Sequence, residues 1–122
     1  MNTLELVGAA AYVWDVPENV YLPDRLWRAE IKRTANPIFV WQLLIQRSTK
    51  ESIQHIAAGT SGSMKNISKL GLLNISVKKV DLAAQEHFAA FVEQVYESKS
   101  AIETALDKAQ TLFDCLMQKY FR

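Results

Sequence analysis

The chain has 122 residues, 49% of them hydrophobic, and a formal net charge of +1, which predicts one small globular unit plus a long helix and not two domains. Its one cysteine, Cys115, excludes an internal disulfide and a cysteine zinc site and fits a reducing cytoplasm. The small net charge conceals an asymmetry: residues 25–79 carry ten Lys/Arg against Glu30 and Glu51, whereas residues 80–122 carry four basic and seven acidic residues. A basic part joined to an acidic one predicts two surfaces with different tasks, the basic one suited to nucleic acid. Glu5 and the lack of a basic start argue against a signal peptide. The longest apolar run, Ile38 to Ile45, is too short to span a bilayer and is interrupted by Gln42.

In chain order, Leu4 to Trp14 is rich in Val, Ala and Tyr and predicts a strand, followed by turn chemistry in residues 15–19. Val20 to Leu22 predicts a further extended piece, closed by Pro23. Leu26 to Ile31 alternates apolar and polar residues and predicts a half-buried strand with Arg28 and Glu30 on its charged face. Asn36-Pro37 is a helix start, Asn as N-cap and Pro at the first helical position. The helix Ile38 to Arg47 that follows is apolar nearly all round, which predicts a buried core helix. Thr49 and Glu51 offer a new cap for a second helix over Lys50 to Ala58, with Ile53, Ile56 and Ala57 inward and Gly59 as the stop. Beyond the loop at residues 59–66, Ile67 to Leu70 predicts a helical turn ended by Gly71, and Leu73 to Val80 a strand.

Asp81 then caps a long helix. From Gln85 onward, apolar or permissive residues recur at alternating steps of three and four: Phe88, Val92, Val95, Lys99, Ile102, Leu106, Ala109, Phe113, Leu116 and Tyr120. Gln85 shares the heptad a positions with Val92, Lys99, Leu106, Phe113 and Tyr120, and no Gly or Pro interrupts the run. Phe91, Ala105 and Leu112 at g, with Tyr96 and Met117 at e, make the stripe wider than a two-stranded seam requires. Each large side chain left in water forgoes roughly 1.5–3 kcal/mol. The expected cover is the same helix of a second copy, giving a homodimer with Lys99 near the midpoint of the seam.

Catalytic signatures are weak. Asn36-Pro37-Ile38-Phe39 resembles the loop with which amino-methyltransferases hold their target amine, but it lacks the second Pro, and helix capping accounts for it. His55 and His87 stand alone, without carboxylate or thiol at metal-ligand spacing. Gly59-Thr-Ser-Gly-Ser is neither a nucleophile elbow nor a Walker loop. These residues predict no enzyme, cofactor or metal. The loop can serve as a phosphate cradle, with Thr60, Ser61 and Ser63 as donors and Lys65 and Lys69 as charges, or as a flexible connector. Arg28, Lys32 and Arg33 are further candidate phosphate contacts.

The ordered series NPIFVWQLLIQ, IQHIAAGTSGSMKNIS, LGLLNISVKKV and QEHFAAFVEQVYESKSAIETALDKAQTLFDCLMQKYF, spanning Asn36 to Phe121, resembles the DNA-specificity subunit of type I restriction-modification systems. It looks like the distal half of a target recognition domain followed by the spacer helix, and LVGAAAYV with LPDRLWR fits the strands upstream. The departure lies at Lys78 to Asp81, where that family carries prolines. The resemblance implies a half-length, non-catalytic subunit. The partners it implies are double-stranded DNA, separate modification (methyltransferase) and restriction subunits, and a second spacer helix. The expected fold is α+β: a small sheet with short helices over residues 1–80 and a long coiled-coil helix over residues 81–122. A coiled-coil assembly module without DNA binding is the alternative.

Overall fold

The computed structural model describes residues 5–58 and 67–121. Its elements are α1 (Pro37–Ile45), α2 (Arg47–Ala58), α3 (Lys69–Leu73) and α4 (Leu82–Phe121). The chain divides into two compact units, Met1–Glu86 and His87–Arg122.

No strand forms among the described residues, so the expected α+β fold with its small sheet is corrected to an all-helical one. The described parts of Leu4 to Trp14, Val20 to Leu22 and Leu26 to Ile31 run as turns and irregular backbone. Leu73 closes α3, and residues 75–81 are irregular. A strand exists only when a neighbour accepts its ladder of hydrogen bonds. None of these runs is joined to the next by a two-residue turn of the kind that returns a chain alongside itself. Residues 20–30 are instead exposed throughout.

Helices formed where the signals are local. The Asn36 side chain accepts from the backbone N–H groups of Ile38 (2.9 Å) and Phe39 (3.2 Å), with Pro37 opening α1. Gln46 takes an extended conformation, ψ 138°, and separates α1 from α2. The second helix therefore starts at Arg47, not Lys50, and Thr49 is a buried residue within it, not its cap. In α3 the Ser68 hydroxyl accepts from the N–H of Gly71 at 3.0 Å, which places Gly71 inside the helix where the sequence predicted its end. The carbonyl of Asp81 accepts from the N–H of Gln85 at 3.0 Å and opens α4.

The core of the first unit is small. Val7, Ile53 and Ala57 are buried, and Leu44, Ile67, Leu72 and Ile75 pack against them. Gly8 allows this closeness: at φ 76° its Cα lies against Ile53, and an added Cβ would sit 2.3 Å from Ile53 Cγ2. A second cluster pins the N-terminal segment to α1. Tyr12, Trp14 and Trp41 form a ring cluster with centroids 4.8–6.2 Å apart, Trp14 meeting both others edge to face, and Trp41 Nε1 donates to the carbonyl of Ala10 at 3.3 Å. Of α1 itself only Ile38 is buried, so the helix is half-covered and not the fully buried core helix its composition predicts.

Candidate functional site

Two surfaces carry the residues of interest. The first is the face of α4, whose 40 residues extend over about 60 Å. Phe88, Val95, Ile102, Leu106, Phe113 and Leu116 are 41–67% exposed, Val92 is half-buried, and Lys99 and Ala109 are exposed. Phe91, Tyr96, Leu112 and Met117 broaden the exposed apolar band on its flanks. The heptad stripe thus lies open to solvent over most of the second unit. Isolated exposed apolar residues are ordinary, but a contiguous band of this size marks an association surface.

Gln85 departs from that stripe. It is buried, its Oε1 accepts from the Asn36 N–H at 2.9 Å, and its Nε2 donates to the carbonyl of Val80 at 2.8 Å. Gln85 therefore clamps the N-cap of α1 to the start of α4. Heptad spacing alone assigns it to an a position of the seam.

The second group is the exposed basic residues of the first unit. Arg28, Lys32 and Arg33 are exposed on irregular backbone, and Lys69 is exposed at the first position of α3. The structure brings two of the basic stretches together: Lys69 Nζ lies 5.7 Å from the centre of the Trp27 ring. Trp27 was not among the candidate residues; its position between Arg25 and Arg28 in the alternating segment was the available signal. Thr60, Ser61, Ser63 and Lys65 lie outside the described residues, so the loop expected to cradle phosphate has no structural account. Among the described residues the single ion pair joins Arg47 to Glu51 at 2.8 Å, and the hydrogen bond and charge of Glu51 raise the Arg47 pKa. None of Arg28, Lys32, Arg33 and Lys69 takes part in that pair.

His55 and His87 are exposed, and no group of three or more potential metal ligands occurs among the described residues. No helix there is long and apolar enough to cross a membrane.

These features define a class: a small helical unit with exposed basic residues, and a long amphipathic helix whose apolar face is open. No protein-family model matches the chain, nor does any curated protein or solved structure.

Proposed function

We propose that the chain is a half-length DNA-specificity subunit of a type I restriction-modification system, working in the cytoplasm. It binds duplex DNA through the basic side of its first unit and pairs through α4 with the same helix of a second copy. The modification and restriction subunits are its further partners, and the chemistry belongs to them. The observation that carries the reading is the open apolar stripe Val95, Ile102, Leu106, Phe113 and Leu116 on an uninterrupted 40-residue helix. A marginally stable chain of this size does not keep such a surface in water without a partner. The ordered resemblance from Asn36 to Phe121 and the exposed basic residues support the DNA assignment.

A second reading, an assembly module that does not bind DNA, is favoured by one observation: the described residues contain none of the sheet expected of a recognition domain. Titration of duplex DNA across a salt series separates the two. Phosphate contacts make log K fall linearly with log[salt], with a slope of about −0.9 per neutralised phosphate. No binding at low salt leaves the assembly module. Sedimentation at micromolar concentration tests pairing in either case, and a stable monomer refutes it.

A further inference from the structure

We propose that Trp27 and Lys69 form a composite nucleotide-contact site, with the indole stacking on an unstacked base and Lys69 neutralising a neighbouring phosphate. The inference rests on the DNA-binding reading and deepens it. Trp14 and Trp41 are locked into the ring cluster with Tyr12, whereas Trp27 lies outside that cluster and is 44% exposed. It sits in a segment, residues 27–31, in which no backbone–backbone hydrogen bond forms among the described residues. Lys69 Nζ lies 5.7 Å from the ring centre, and much of the Trp27 surface faces solvent. Around it in sequence, Arg25, Arg28, Lys32 and Arg33 outnumber Asp24 and Glu30, and all six are exposed.

An exposed aromatic ring among cations is the arrangement with which proteins hold single-stranded nucleic acid: every base offers a π-face, and the cations follow the backbone. In a closed duplex the base faces are covered by their neighbours, so the indole needs a base that is unpaired or displaced from the stack. The ligand class is a nucleic acid with at least one accessible base, and the site favours locally opened DNA over a closed duplex. A polyanion without bases satisfies the cations and leaves the ring unused.

The test uses the full chain labelled with 5-fluorotryptophan, whose three resonances are assigned with Trp27→Phe. Short oligothymidylate, a closed duplex of similar length and poly-glutamate are titrated at low salt. Oligothymidylate is expected to shift the Trp27 resonance and leave those of Trp14 and Trp41 in place, and poly-glutamate, which engages Lys69 but stacks on nothing, to shift Trp27 much less. Trp27→Ala is expected to weaken oligothymidylate binding roughly tenfold, and Trp27→Phe to retain most of it. Lys69→Gln is expected to lower the salt slope by about 0.7. Salt-dependent binding with an unmoved Trp27 resonance, or with Trp27→Ala unchanged, overturns the stacking site and leaves DNA binding standing. An equal shift with poly-glutamate overturns it too. No binding of any nucleic acid removes both readings together.

Discussion

Replacing Gln85 with Ala tests whether the residue is a clamp or a seam position. The side chain is 7% exposed and makes two hydrogen bonds, from the Asn36 N–H at 2.9 Å and to the Val80 carbonyl at 2.8 Å. Alanine leaves both backbone groups without that partner, at about 1–3 kcal/mol each. Asn36 and Val80 are only half-buried and water reaches them in part, so the expected total is about 2–4 kcal/mol. A small unit loses about 4–8 °C of Tm per kcal/mol, which predicts a drop of roughly 8–30 °C. Near-UV circular dichroism from the Tyr12–Trp14–Trp41 cluster reports the first unit, whereas the far-UV signal is dominated by α4. Gln85→Glu refines the test. At neutral pH its carboxylate keeps the acceptor but sets an oxygen against the Val80 carbonyl, so it is expected to cost at least as much. Protonation restores a donor, so the folded-state pKa of that Glu is raised above its unfolded value near 4.3. The stability it contributes is then present at acid pH and lost as pH rises through the folded pKa. If Gln85→Ala melts within about 0.5 kcal/mol of the parent, the range of an ordinary surface change, and the Asn36 amide exchanges no faster, the clamp is refuted.

The remaining predictions address the surfaces and the core. Ile102→Asp with Leu106→Asp, both exposed in the single chain, is expected to leave the first unit's melting unchanged. It is expected to dissociate the proposed dimer in sedimentation, because it puts unpaired charge into the proposed seam; a persisting dimer moves the interface elsewhere. Gly8→Ala sets a Cβ 2.3 Å from Ile53 Cγ2 at φ 76° and is expected to destabilise the first unit by about 2–4 kcal/mol, from left-handed strain plus overpacking. Thermal or urea unfolding measures it, and a loss below about 1 kcal/mol contradicts the close approach. Lys65→Glu with Lys69→Glu is expected to weaken duplex binding and reduce the salt slope by about 2; an unchanged slope removes these lysines from the DNA contact.

Much of the helical structure was legible in the sequence because its causes are local. Asn36-Pro37 starts α1 through two hydrogen bonds within three residues of the cap. The long helix needs only good helix formers without Gly or Pro, since each of its backbone bonds closes four residues away. The inward placement of Ile53 and Ala57 followed from helical period alone. Spacing also located the apolar stripe from Val95 to Leu116, because side chains three and four apart share a face in any helix.

Tertiary structure decided everything that requires a distant partner. The alternation in Leu26 to Ile31 describes a segment able to form a half-buried strand, but pairing depends on a neighbour, and among the described residues none is supplied. Gln85 satisfies the heptad spacing as well as a seam residue does; its two hydrogen bonds, one reaching 49 residues back to Asn36, make it a clamp. The meeting of Trp27 with Lys69, 42 positions apart in the chain, leaves no trace in local periodicity. Backbone propensity and side-chain period act over a few residues, whereas burial and polar satisfaction depend on which distant segments the fold brings together.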